Sequence, residues 1–332
     1  MPPARDLAAL PKAHLHLHLE GAMRPDTLDD FAHRAGVPAP EVRRYDSFAE
    51  FNQRYRAASG LVCTVADLRR VVREVIEDAA ADGAVWVEPH FYPPRYAGKV
   101  GEPLGTREEV LELVLDEAAS TSERTGTGCG IMISALRDHN PAESVSLARL
   151  AARYADAGVV AFGLAADESL YPPEPFAEAF RIARDAGLIS APHAGELAGP
   201  ASVRGALDNL GAHRICHGVR AVEEPALVAR LAEDGVVLDV CPSSNVSLQV
   251  VPALEQHPLA ELLAAGVRCT LSGDDPLLFG PGVLGEFELA RTALGLDDTQ
   301  LAAIARTSLE ASGADTARKT AALAGVDTWL GG

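Results

Sequence analysis

Five times in this 332-residue chain a helical pattern runs into a glycine and then directly into a short apolar segment. The five patterns read EVIEDAAADG, LARLAARYADAG, AFRIARDAG, ALVARLAEDG and LAELLAAG. Glycine suits the left-handed residue that closes a helix, because it has no Cβ to clash there. A strand that follows at once gives the repeated βαβ rhythm of a parallel sheet. Eight candidate strands result: Ala13–Leu19, Ala84–Phe91, Gly130–Leu136, Val159–Ala165, Leu188–His193, Arg214–His217, Val236–Cys241 and Val267–Ser272. Eight such units over about 250 to 300 residues predict an α/β fold, the (β/α)8 or TIM barrel. An open doubly wound sheet would carry a glycine-rich phosphate loop after its first strand. Here that strand runs into HLHLEG, which is not one.

The whole chain, residues 1–332, reads as one domain. The connection from the first strand to the second, residues 22–83, is long and carries helical patterns over Asp46–Ser59 and Thr64–Ala81. An insertion after a barrel strand lies at the catalytic face, so a helical, lid-like role is expected of it. Gly285 to Leu330 reads as closing helices, and no repeat or low-complexity segment interrupts the pattern.

Hydrophobic residues make up 48% and charged residues 23%, as in an ordinary globular protein. No apolar run approaches the roughly 20 residues of a membrane helix, and Met1 to Leu10 lacks the pattern of a signal peptide. The expected location is the cytoplasm. A formal net charge of -18 repels phosphate backbones and anionic lipids, which argues against nucleic acid and membranes and leaves a small molecule as partner. Cys63, Cys129, Cys216, Cys241 and Cys269 are odd in number, widely spaced and without a C-x-x-C pair. They read as small buried hydrophobes.

The chemistry sits at strand ends. In HLHLHLEG, His14, His16 and His18 alternate with leucine and share one strand face. Neighbours lie about 6.6 Å apart along a strand and the outer pair about 13 Å, so one ion reaches two of the three. Barrel sites gather at C-terminal strand ends, which favours His16 and His18. His193 ends the fifth strand, with Glu196 just beyond it in PHAGE; His217 ends the sixth, in RICHG; Asp274 and Asp275 follow the eighth, in LSGDDP. Each alone is more readily polar lining, or a cap in the case of the two aspartates. Together they converge on one rim. Three imidazoles and a carboxylate make a mixed nitrogen–oxygen shell suited to a transition metal, with an open position for water. Glu196, His217 and Asp275 remain for proton transfer and positioning.

At this point the chain resembles the adenosine deaminase family of the amidohydrolase superfamily. The likeness runs from PKAHLHLHLEG through FGLAADES, PHAGE, RICHGVRA, VCPSSNV and HPLAELLAAGV to LSGDDPLLFG. The resemblance implies one zinc ion per subunit, with His16, His18, His193 and Asp274 as ligands. It implies that Glu196 protonates N1 of a purine. His217 would orient the attacking water or deprotonate it, and Asp275 would contact N7 and the attacking hydroxyl. His18, Glu20, Ala166 and Asp275 fall at the substrate. Four positions depart from the family pattern: Glu20 replaces the aspartate usual in adenosine deaminases, Ala166 replaces a glycine, His14 replaces a glutamate, and Gly273 replaces a threonine or serine. The expected reaction is hydrolytic deamination of adenosine or 2′-deoxyadenosine. Glu20 and SNVSLQVVPALEQHP lean toward the adenine deaminase branch, whereas FNQRYRAASGLVCTVADLRRVVREVIEDAAADG is more similar to bacterial adenosine deaminases, so adenine is the alternative, with a modified nucleoside such as aminodeoxyfutalosine beside it. Another hydrolase of the superfamily is the remaining reading. Binuclear members commonly place Lys or Glu on the fourth strand, and Val159–Ala165 has neither.

Overall fold

The computed structural model describes residues 5–43, 45–99 and 105–331. Residues 1–4, the start of the stretch read for a signal peptide, lie outside them. Among the described residues nine parallel strands form: β1 (Lys12–His18), β2 (Ala84–Phe91), β3 (Gly128–Cys129), β4 (Ile131–Leu136), β5 (Val159–Ala165), β6 (Ile189–Ala194), β7 (Arg214–His217), β8 (Val237–Val240) and β9 (Arg268–Leu271). The order is β1-β2-β4-β5-β6-β7-β8-β9, with β3 a two-residue side pairing on β2. The eight main strands match the eight expected, within two residues at each end. The short β3, set off from β4 by Gly130, is the addition.

The ring closes between β1 and the segment after β9. Leu17 bridges Asp274 in parallel fashion, His18 N–H donates to the Asp274 carbonyl (2.9 Å), and Asp274 N–H donates to the His16 carbonyl (3.1 Å). The same closure therefore sets Asp274 beside both histidines. The fold is the (β/α)8 barrel, with helices around the parallel strands.

The five closing glycines all have positive φ: 77° at Gly83, 107° at Gly158, 81° at Gly187, 66° at Gly235 and 85° at Gly266. Each ends a helical segment where an L side chain would be strained. Among the described residues three α-helices lie between β1 and β2: α1 (Pro25–Ala35), α2 (Phe48–Ser59) and α3 (Val65–Ala81). α3 starts at a capping box in which Thr64 and Asp67 satisfy each other's backbone N–H groups. Its Leu68, Val71, Val72, Val75, Ile76 and Ala79 recur at helical spacing and are buried in the core. Among the described residues no helix is long and apolar enough to cross a membrane, and all five cysteines are free. Cys216, Cys241 and Cys269 are buried, Cys129 is half-buried and Cys63 is exposed.

The barrel floor holds a buried ion triad. Arg214 on β7 meets Glu88 on β2 (2.7 Å) and Asp239 on β8 (3.1 Å), and all three side chains are inaccessible or nearly so. Trp86 Nε1–H and Gly313 N–H donate to Glu88, and the Thr270 hydroxyl donates to Asp239. Breaking such a pair on one side typically costs about 3–5 kcal/mol, because a buried charge is left uncompensated.

Candidate active site

The rim at the C-terminal strand ends brings the expected residues together. His16 Nε2 lies 3.1 Å from His193 Nε2, and His18 Nε2 lies 3.3 Å from the same atom. Asp274 Oδ1 lies 3.3 Å from the Nε2 atoms of both His16 and His18. Ligands bound at 2.0–2.1 Å around a tetrahedral ion are separated by about 3.3–3.4 Å, from the geometry of the tetrahedron. Four donor separations therefore match an ion-sized centre. Polar atoms of like kind do not sit this close without a cation or a proton between them. His217 stands just outside: its Nε2 is 3.8 Å from Asp274 Oδ2, although its ligating atom also comes within 4.8 Å of those of His16, His193 and Asp274. His18 is measured at the closer separations from His193 and Asp274, whereas His217 is the residue that shares a 4.8 Å set with His16, His193 and Asp274. The donor set fits zinc.

The surroundings aim these rings. His16 Nδ1–H donates to the Asp239 carbonyl (3.2 Å), which leaves Nε2 as the free lone pair. The Asp239 peptide is itself held over the buried triad. His14 Nε2 accepts from Gly273 N–H (2.9 Å), so this ring is occupied elsewhere. Arg137 on the segment after β4 is buried and donates to the His193 carbonyl and to that of Tyr171.

Asp274 and its neighbours divide the carboxylates. Burial alone would raise the Asp274 carboxyl, but His16, His18 and His217 outweigh it and hold it well below the usual range. Burial, then the charges of Asp274, Glu168 and Asp275, push Glu196 well above it. The two carboxyls are thus pushed in opposite directions, and the Glu196 carboxyl lies 3.4 Å from His217 Nε2. Asp275 is also raised by burial and by Asp274 and Glu20, against the opposing pull of His18, and its Oδ1 has no hydrogen-bond partner.

The backbone is strained at three of these positions. Ala166 (φ 77°), His217 (φ 68°) and Asp274 (φ 58°) are left-handed without being glycine. Each costs roughly 1–2 kcal/mol, and such outliers gather at functional sites. All three line one cavity with His18, Glu20, Glu196 and Asp275. Gly21 matters for the opposite reason: a Cβ there would fall 1.5 Å from Asp275 Oδ1.

The far wall comes from α2 and the segment after β2. Phe48, Phe51 and Tyr55 face the cavity together with Arg95 and Leu248. Glu20 is buried and accepts from the Tyr55 hydroxyl (2.8 Å) and the Tyr96 hydroxyl (2.6 Å), with Arg95 Nε at 3.5 Å. Sequence reasoning passed over this clamp, as it passed over His90. His90 on β2 stacks on the His16 ring, with centroids 5.2 Å apart, and its Nδ1 meets the Ser134 hydroxyl. Strand alternation was the missed signal, since Glu88 and His90 share the inward face of β2. Glu168 was missed as well. Its Oε1 accepts from Glu196 N–H (2.8 Å) and Ala198 N–H (2.5 Å), and its Oε2 from the Ser202 hydroxyl (3.1 Å).

Comparison with known proteins identifies the family. The adenosine deaminase family model matches residues 11–329. A Streptomyces coelicolor protein with the provisional name adenosine/adenine deaminase is 45% identical, covering 98% of each chain. An adenine deaminase of Sinorhizobium medicae is 38% identical over 93% of this chain and 95% of its own. The crystal structure of an adenine deaminase from Arthrobacter aurescens superposes with a TM-score of 0.89 at 30% identity, covering 97% of this chain and all (100%) of that one. A zinc-bound amidohydrolase from Burkholderia ambifaria gives 0.88 at 28% identity, covering 98% and 93%. The chain belongs to the adenosine deaminase family of the amidohydrolase superfamily and is a hydrolytic deaminase.

Proposed function

We propose that the substrate is a 6-aminopurine and that the free base adenine is preferred over adenosine, with one zinc ion held by His16, His18, His193 and Asp274. The observation that carries the chemistry is the set of four donor separations of 3.1–3.3 Å beside a buried Glu196, whose carboxyl burial pushes well above the usual range. A zinc ion bound there supplies the Lewis acidity that ionises water near neutral pH, at about pH 7.

The chain's own residues do the rest. Addition of water at C6 places an electron pair on N1. Glu196 donates its proton to N1 and stabilises the adduct, an effect typically worth about 10²–10⁴-fold. His217 and Asp275 hold the attacking oxygen on one face of the ring. The C6–N bond then breaks, and the amino group leaves as ammonia after receiving a proton. Phe48, Phe51 and Tyr55 from the 22–83 connection act as a lid that excludes bulk water.

Glu20 supports the choice of adenine. Its carboxylate accepts from two phenols and lies close to Arg95, which fixes the direction of its remaining lone pairs. Free adenine brings an imidazole-ring N–H, absent from nucleosides, for which those lone pairs are an acceptor. The relatives named adenine deaminase favour the same choice. The test is ammonia release from adenine, adenosine, 2′-deoxyadenosine and side-chain-modified adenosines by zinc-loaded enzyme. The expected order has kcat/KM highest for adenine. A higher value for adenosine overturns the base preference, and no release from any aminopurine overturns the assigned substrate class.

A further inference from the structure

A backbone amide near His217 decides where that ring carries its proton. Leu259 N–H donates to His257 Nδ1 at 3.2 Å. A peptide N–H can only donate, so Nδ1 of His257 holds a lone pair and the ring proton sits on Nε2. His257 Nε2–H donates to Asn245 Oδ1 at 3.1 Å. That contact fixes the orientation of the Asn245 amide, whose Nδ2–H then donates to His217 Nδ1 at 3.2 Å. His217 therefore accepts at Nδ1 and bears its proton on Nε2. The Nε2 atom is the one facing Glu196 Oε1 (3.4 Å) and Asp274 Oδ2 (3.8 Å). Turning the amide over sets its NH2 against His257 Nε2–H, or else forces a proton onto His257 Nδ1 against Leu259 N–H. Either way two donors meet. His217, Asn245 and His257 are all buried, so solvent does not relieve the conflict.

We infer that Asn245 and His257 are positioning residues that lock His217 as the Nε2–H tautomer, which makes His217 a hydrogen-bond donor to the attacking oxygen and not the base that deprotonates it. The inference rests on the deaminase reading above and chooses between the two roles left open for His217. With Nδ1 filled by an amide N–H and Nε2 already protonated, the ring has no lone pair to offer the water. The proton that leaves the water then goes to a carboxylate at the same cavity, where Asp275 Oδ1 has no partner.

The test is nitrogen-15 histidine spectroscopy of zinc-loaded enzyme, with long-range proton correlations that distinguish the two ring nitrogens. The expected His217 signature is a protonated Nε2 and an unprotonated Nδ1. A protonated Nδ1 in the wild-type enzyme overturns the inference. Asn245→Asp replaces the donor facing His217 with an acceptor. It is expected to move the ring proton to Nδ1 and lower kcat about 10²–10³-fold, the usual loss for one preorganised donor, with zinc retained and KM little changed. Unchanged kcat or an unchanged tautomer in that variant overturns it. Should Asn245→Asp fail to fold, the pair His257→Leu and His257→Gln decides, since a glutamine amide can still donate to Asn245 Oδ1. Recovery of at least about tenfold in kcat by His257→Gln over His257→Leu is expected, and equal rates overturn the inference. Absence of ammonia release by the zinc-loaded wild type would instead count against the deaminase reading, and the tautomer spectrum is read independently of turnover.

Discussion

Removing the Glu168 carboxylate tests how the acid-bearing loop is held. Glu168 is buried and touches neither the metal ligands nor the proposed water, but its oxygens accept from Glu196 N–H, Ala198 N–H and the Ser202 hydroxyl. Glu168→Ala strands one buried and one part-buried backbone donor, at up to about 1–3 kcal/mol each, so the loss is about 2–6 kcal/mol. With an unfolding entropy near 2.1 cal/mol/K per residue over 332 residues, that is a fall in Tm of about 3–9 °C, if the barrel unfolds in one step. The catalytic effect is separate. A shift of about 1 Å in Glu196 is worth about 10²-fold in rate. Glu168→Gln keeps the shape but turns an NH2 toward the donors, so it should retain zinc, melt slightly lower and lose about 10²-fold in kcat. The assay is thermal melting beside metal analysis and ammonia release. Wild-type Tm and kcat in Glu168→Ala would refute the reasoning, because they would mean that the Glu196 loop is fixed without these bonds.

Glu196→Gln should keep zinc bound and lose about 10²–10⁴-fold in kcat, read by metal analysis beside single-turnover ammonia release. Near-normal turnover would remove it as the proton donor. His16→Ala should lower the zinc content of purified protein, and full stoichiometry would take His16 out of the ligand set. Burial raises the Glu286 carboxyl from 4.5 to about 8, and Oε1 has no partner. The native state therefore binds the extra proton, so the contribution of this group to stability is complete below pH 4.5 and is lost as pH rises through about 8. Glu286→Gln should remove that loss, with its Tm advantage over wild type growing from pH 5 to pH 9 in melting scans. A constant difference across that range would refute the assignment.

The barrel was legible because it depends on local rules. Gly83, Gly158, Gly187, Gly235 and Gly266 mark helix ends through their own backbone geometry, and β-branched runs follow them. The donor set was legible because His16, His18, His193, His217 and Asp274 each lie at or just beyond a strand end, where barrel topology forces convergence. What was not legible depends on contacts between segments far apart in the chain. Glu168 reaches Glu196 across 28 residues, Arg137 reaches the His193 carbonyl across 56, and Tyr96 reaches Glu20 across 76. No spacing rule announces such pairs. Asn245 and His257 lay inside motifs that carried the family likeness, yet their roles follow only from the direction of three hydrogen bonds.

The central claim is most directly tested by a zinc-soaked crystal structure with anomalous scattering at the zinc edge. The account predicts one anomalous peak per chain, about 2.0–2.2 Å from His16 Nε2, His18 Nε2, His193 Nε2 and Asp274 Oδ1, with His217 outside bonding distance. A peak that takes His217 in place of His18, or zinc found away from this cluster, would contradict it.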